Sequence, residues 1–109
     1  MTSAAAWTLL ILSGIADIGW AVMTKLSEGY TKPGWTLGSL AALAAFLTLL
    51  VQALKVLPLG VAYAVWTGIG ASGSVAAGLL LFGETLGVGR LLAIFAIVGG
   101  VVTLKMLPE

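Results

Sequence analysis

Asp17 is the one charged residue in an apolar stretch of about 20 residues running from Ala4 to Val22. A carboxylate at membrane depth costs about 2.5 to 3.5 kcal/mol on insertion scales, so it is kept where it faces a protein interior or an aqueous pathway. Helical spacing puts Ser13, Gly14, Trp20 and Thr24 on the same side as Asp17, three, four or seven positions away. Gly14, one turn before the acid, leaves open space against the carboxylate, and Trp20, one turn after it, offers a π face to a cation. This combination can bind a proton or a small organic cation reversibly. The competing reading is an Asp17 that stays protonated and bonds a neighbouring helix.

A matching stripe lies further along the chain, where Tyr63, Trp66, Thr67 and Gly70 share one helical face. The Tyr63 hydroxyl can hydrogen-bond a carboxylate, and the Trp66 ring is a second surface for a cation. Gly68, Gly70 and Gly73 fit the spacing of the dinucleotide fingerprint G-x-G-x-x-G. That motif needs a strand before it, a helix after it and an acid about 20 residues on. Here it lies inside an apolar helix, where the glycines, with Ser72, Ser74 and Gly78, make a thin helix suited to close packing and bending.

The elements that must carry these faces follow from composition. Of 109 residues, 61% are hydrophobic and 8% charged, against about 25% charged in a soluble domain, and a soluble fold of this size has nowhere to bury so much apolar surface. An integral, all-α membrane protein is expected. A hydrocarbon core of about 30 Å takes roughly 20 helical residues, and the chain divides into four such spans at about 4–26, 35–54, 58–82 and 88–107. They make a single four-helix transmembrane domain over residues 1–109, with Pro108 and Glu109 outside the last helix and nothing left for a soluble domain. Residues 27–34, rich in charge, glycine and proline, form the longest loop. Trp35 opens the second helix, Pro58 sits in the first turn of the third, and residues 83–87 form the last connection. The first basic residue is Lys25, at the far end of the first span. A secretory signal has the reverse order, so the first helix is expected to be retained.

The same composition excludes several function classes. There is no cysteine and no histidine, so disulfides, thiol catalysis and the commonest transition-metal ligands are absent. Four scattered acids make no calcium or magnesium loop, and no metal or cofactor is implied. A net charge of +1 gives no basic patch for nucleic acid. No nucleophile-base pair stands out, so no enzyme is expected.

Trp7, Trp35, Lys25, Lys32, Lys55, Arg90 and Lys105 fall near the span ends, as anchors at a lipid interface should. Lys25, Lys32 and Arg90 on one side oppose Lys55 and Lys105 on the other. Three against two is a weak bias, which implies insertion both ways round or a partner that fixes the orientation. Four spans are too thin a bundle to enclose a sealed pathway. A second copy or a sister subunit is therefore expected, with Gly99, Gly100 and Thr103 as a close-approach face on the fourth helix.

The run Gly14-Ile15-Ala16-Asp17-Ile18-Gly19-Trp20-Ala21, the link Lys25-Leu26-Ser27-Glu28-Gly29-Tyr30-Thr31 and the stretch from Leu57-Pro58-Leu59-Gly60 through Tyr63-Ala64-Val65-Trp66-Thr67-Gly68-Ile69-Gly70 resemble the small multidrug resistance family over the whole chain. Trp66-Thr67-Gly68-Ile69-Gly70, and Trp20 after the acid, resemble its guanidinium-exporter subtype rather than the quaternary-ammonium one. The resemblance implies a multi-pass, proton-coupled antiporter of the bacterial inner membrane that exports small guanidinium-type cations by alternating access. It also implies an antiparallel dimer, either a homodimer or a heterodimer with a sister subunit, whose partners are the cation, protons and membrane lipid. By position, Asp17 matches the acid that binds protons or the cation, Gly14 and Trp20 match its helix-one neighbours, and Tyr63 and Trp66 match the helix-three binding residues. Ser13, Phe46, Thr67 and Gly70 are expected around them.

Two departures from the family pattern stand out. The acid is nearly always Glu in the family, whereas Asp17 is one methylene shorter. The helix-two serine that hydrogen-bonds the acid in guanidinium exporters falls, counting from Gln52, at Phe46. A phenyl ring cannot replace that hydroxyl, and Thr48, two positions along a helix, points to another face. Two alternatives stay open. One is export of quaternary ammonium or other hydrophobic cations, with Trp20, Phe46, Tyr63 and Trp66 as an aromatic cage. The other is a role as one subunit of a heterodimeric transporter.

Overall fold

A backbone in lipid has no water to hydrogen-bond, so an apolar chain satisfies its own N–H and C=O groups by coiling into helices. The computed structural model describes residues 2–107. It contains four helices: α1 (Ser3–Leu26), α2 (Pro33–Leu54), α3 (Leu59–Leu81) and α4 (Val88–Met106). Each is long and apolar enough to cross a membrane. Pro108 and Glu109 fall outside the described residues.

The helix ends differ from the sequence reading in ways the backbone explains. Pro33, read as part of a loop, opens α2 within its first turn, so that helix begins two residues before Trp35; its missing N–H is an orphan donor there anyway. Pro58, read as helical, stays extended with ψ 143° and precedes α3, which starts at Leu59. Helices α3 and α4 each stop one residue early. Phe82 leaves helical geometry at φ −116°, ψ 4°, and Leu107 does so at ψ 139°. At the start of α1 the Thr2 hydroxyl accepts a hydrogen bond from the Ala5 N–H at 3.1 Å and caps the helix.

Two turns set how the helices meet. Between α1 and α2, Glu28, Gly29 and Tyr30 all adopt left-handed φ values of 49°, 74° and 66°, a region that costs non-glycine residues about 1 to 2 kcal/mol each. The buried Ser27 offsets that strain. Its hydroxyl donates to the Thr24 carbonyl at 2.6 Å and accepts from the Tyr30 N–H at 3.1 Å, while the Thr31 and Lys32 N–H groups both return to its carbonyl. After α3, Gly83 takes φ 64°, which lets the Glu84 N–H reach the Gly78 carbonyl at 3.1 Å.

Helix α1 is the centre of the fold, packing on both α2 and α3, while α4 packs mainly on α3 and reaches α1 through Lys105, whose ammonium lies 5.0 Å over the Trp7 ring. Ala6, Trp7 and Leu10 of α1, Leu50 and Ala53 of α2, Leu57, and Ala62 and Val65 of α3 form the core at one end of the molecule. Helix α4 buries no residue. The whole is a slab of 43 × 34 × 16 Å. Helices pack about 8 to 10 Å apart, so a 16 Å thickness holds at most two helices in contact and no passage between them. On α4, positions Gly99 and Gly100 face open space, and the Thr103 hydroxyl bonds back to the Gly99 carbonyl at 2.7 Å.

Candidate functional site

Asp17 lies midway along α1 on the side that meets α3, and Gly70 lies opposite it. A Cβ at Gly70 would fall on the Asp17 carboxylate, so the acid occupies the gap left by a missing side chain. The two faces read from the sequence therefore come together across the α1–α3 seam. An open groove of about 380 Å³ runs between them, lined by Asp17, Trp20, Tyr63, Trp66, Thr67 and Gly70 and extended by Ala21, Ala71 and Ser74. The last three were not expected at the site, Ser74 having been read only as part of the thin, glycine-rich stretch of the third helix. They repeat the same faces one turn on, four positions after Asp17, Thr67 and Gly70, and that spacing was the signal available.

Gly14 needs a correction, because it does not open space against the carboxylate. It is buried, and a Cβ there would meet Ile69 Cγ2 at 2.6 Å. One turn before the acid, Gly14 is where α3 docks through Ile69, and Gly70 makes the gap for Asp17. The buried Ser13 also turns away from the acid: its hydroxyl donates to the Phe46 carbonyl at 2.8 Å and ties α1 to α2. The Thr48 hydroxyl bonds the Ala44 carbonyl of its own helix at 2.8 Å. No hydroxyl from α2 reaches the site.

Phe46 does join the aromatic residues, although it does not line the groove. The residue is 4% exposed, and its ring sits between the two indoles, 6.0 Å edge-on from Trp20 and 5.5 Å at a 31° tilt from Trp66. Tyr63 continues the series at 5.4 Å from Trp66. The rings thus form two tiers, with Trp20, Tyr63 and Trp66 open to the groove and Phe46 behind them.

Among the described residues no hydrogen bond reaches the Asp17 carboxylate, and it joins neither ion pair, these being Lys25 with Glu84 and Lys32 with Glu28. The Trp66 indole N–H is buried without an acceptor among those residues. Polar groups in an apolar setting are normally satisfied, and those that are not call for an explanation. An acid with both oxygens free, facing three aromatic rings, can hold a compact cation by charge and π contact or hold a proton in its place. Ala21 and Ser74 also border a second hollow of about 130 Å³. It ends at the Lys25 ammonium, which pairs with Glu84 and lies 4.9 Å over the Phe82 ring.

Residues 5–105 match the family model described as Small Multidrug Resistance protein. The chain is 41% identical over 101 residues to a guanidinium exporter of Yersinia pseudotuberculosis serotype I, covering 93% of its own length and 97% of that relative. It is 39% identical over 100 residues to guanidinium exporters of Citrobacter freundii and Salmonella typhimurium, covering 92% of itself and 95% of each.

Proposed function

The chain belongs to the Small Multidrug Resistance protein family, and on that premise we propose that it exports guanidinium-type cations in exchange for protons, by alternating access in an antiparallel dimer. It is a multi-pass protein of the inner membrane and not an enzyme. One observation carries the reading: the Asp17 carboxylate lies unpartnered among the described residues in a groove walled by Trp20, Tyr63 and Trp66. A planar guanidinium offers paired donors to both oxygens of such a carboxylate. A protonated Asp17 loses that charge-assisted pairing, so proton and cation exclude one another, which is the requirement for exchange.

A second subunit supplies what one slab lacks. A 16 Å thickness has one wall of a pathway, and the open face of α4 at Gly99 and Gly100 is available for close approach. Two copies, or this chain and a sister subunit, would bring two acids to one site. Exchange of two protons for one monovalent cation moves one net charge inward. Each proton then contributes about 1.4 kcal/mol per pH unit, and the charge adds about 2.3 kcal/mol per 100 mV.

The test is guanidinium-driven pH change in proteoliposomes holding the wild type or Asp17→Asn. The amide keeps the shape and cannot exchange a proton, so coupled flux is expected to fall to background while the protein still assembles. Coupled flux at the wild-type rate in the Asn protein would place the exchanging group elsewhere.

A further inference from the structure

Helices α1 and α4 leave a groove between them over α3, and we propose that it binds one acyl chain of an anionic phospholipid whose phosphate rests on the Lys105 ammonium.

Both helices pack on α3, and their backbones do not pack on each other. The space between them holds two hollows, of about 680 and about 270 Å³, which share Ile69, Val101 and Val102 and so run into one another. Every lining residue is apolar or aromatic except Lys105 at one end and Ser72 towards the other. Ile15 and Val102, on facing walls, are 53% and 52% exposed, so the groove opens sideways to the bilayer. Asp17 is not among its lining residues, and lipid and exported cation take separate places.

Length argues for the chain. Along α1 the wall runs from Trp7 through Ile11 and Ile15 to Ile18, about 16 Å at about 1.5 Å per residue. A hydrocarbon core of about 30 Å is two leaflets thick, so the groove spans one leaflet from the interface to the midplane. That is the reach of a single acyl chain lying along the helices.

Charge argues for the head. Trp7 lies in the second turn of α1 and Lys105 in the last turn of α4, where aromatic and basic side chains meet the lipid headgroups. The Lys105 ammonium lies 5.0 Å over the Trp7 ring, which holds it at the mouth of the groove and leaves N–H donors for an oxygen anion. Among the described residues Lys105 joins neither ion pair, since Lys25 and Lys32 are the cations that meet carboxylates. A phosphate above the indole supplies the missing anion.

A second copy of the chain is the competing occupant, and helix geometry sends it elsewhere. At about 100° per residue, Val98, Val102 and Lys105 share one side of α4, whereas the close-approach positions Gly99, Gly100 and Thr103 lie on the other. A subunit docked on the glycines leaves the groove facing lipid.

The experiment counts lipids on delipidated, full-length protein by native mass spectrometry, with dioleoylphosphatidylglycerol or dioleoylphosphatidylcholine titrated into detergent. In the wild type one phosphatidylglycerol per protomer is expected, bound about fivefold more tightly than phosphatidylcholine, the size of one lysine contact with an anionic surface. Lys105→Gln is expected to remove that preference and keep the weaker binding. Ile15→Trp and Val102→Trp plug the groove from opposite walls, and each is expected to weaken both lipids about tenfold, the loss of about two buried CH₂ groups. Leu47→Trp, exposed on α2, should leave both unchanged. Equal binding of the two lipids by the wild type, a preference that survives Lys105→Gln, or full binding in both groove variants would overturn the proposal. Lipids that add without a step at one per protomer would mean an annular coat, and dimers lost in the groove variants at unchanged lipid binding would give the groove to a second subunit. Either result sinks the proposal too. If the variants do not fold, the wild-type comparison decides by itself, since equal binding of the two headgroups leaves Lys105 without a role.

Discussion

The two seams of α1 are built on opposite rules. Towards α2 the buried Ser13 hydroxyl is paired, donating to the Phe46 carbonyl, and Ala6, Leu10, Leu50 and Ala53 close the seam with hydrocarbon. Towards α3 the Asp17 carboxylate stands without a hydrogen bond, and the Trp66 indole N–H and Ser72 hydroxyl are buried without partners, among the described residues. Both seams have a glycine gap, Gly38 receiving Met23 towards α2 and Gly73 receiving Ile18 towards α3, but only towards α3 does a gap, at Gly70, receive a charged group, Asp17. A satisfied seam resists rearrangement, whereas a seam of small residues and unpaired groups can bind and release. One helix serves as anchor on one face and as reactive surface on the other.

The same substitution at two glycines breaks this comparison most sharply. At Gly70 the atom met by an added methyl is the carboxylate end of Asp17, which can swing aside. Gly70→Ala is therefore expected to leave folding nearly unchanged and to reduce transport about 100-fold, the order that a misplacement of about 1 Å costs. At Gly14 the atoms met are Cγ2 and Cβ of Ile69, at 2.6 and 2.9 Å, and a β-branched side chain has little room to turn. Gly14→Ala is expected to destabilise the helix pair by about 1 to 3 kcal/mol. Thermal melts in detergent and flux in proteoliposomes separate the two effects. A melt loss at Gly70 as large as that at Gly14 would mean the Asp17 gap is ordinary packing.

Much of this was legible beforehand, and the reason differs by residue. Asp17 stood out because charge inside an apolar span is costly, and Tyr63, Trp66, Thr67 and Gly70 because helical spacing assigns a face without any knowledge of the neighbour. What spacing cannot supply is the partner across a seam. Gly14 and Gly70 are equally small, and only the relative height of α1 and α3 decides that one meets Ile69 and the other Asp17. Ser13 was on the correct face for the acid, yet its hydroxyl went to the α2 backbone. The two prolines were misassigned by the same limitation. Both Pro33 and Pro58 can open a helix, and the difference between them lies in ψ, which no residue type dictates.

Ser13→Ala probes the satisfied seam at a single bond. A lone intramolecular hydrogen bond contributes about 0.5 to 1.5 kcal/mol, and the Phe46 carbonyl remains bonded within its helix, so the expected loss is about 1 kcal/mol in a denaturation series. Guanidinium affinity should stay within about twofold. A collapse of guanidinium binding in this variant, at unchanged stability, would mean that Ser13 serves the acid directly and that the α1–α2 seam is not the passive side.

The smallest effect is expected at the mouth of the open seam. Lys25 and Glu84 pair across the ends of α1 and α3 with about half of each side chain exposed, and the same ammonium lies 4.9 Å over the Phe82 ring. Exposed pairs contribute about 0.2 to 1 kcal/mol, and salt screens them over about 10 Å at 0.1 M ionic strength. Lys25→Gln should thus lower the melting point slightly at low salt, with the difference from wild type shrinking as salt is added, and should leave cation flux unchanged. The hollow beneath this pair shares Ala21 and Ser74 with the groove around Asp17, which gives the measurement its force. A large change in flux with little change in melting would make the pair part of the route, and the reactive surface of α1 would then extend from Asp17 to the membrane edge.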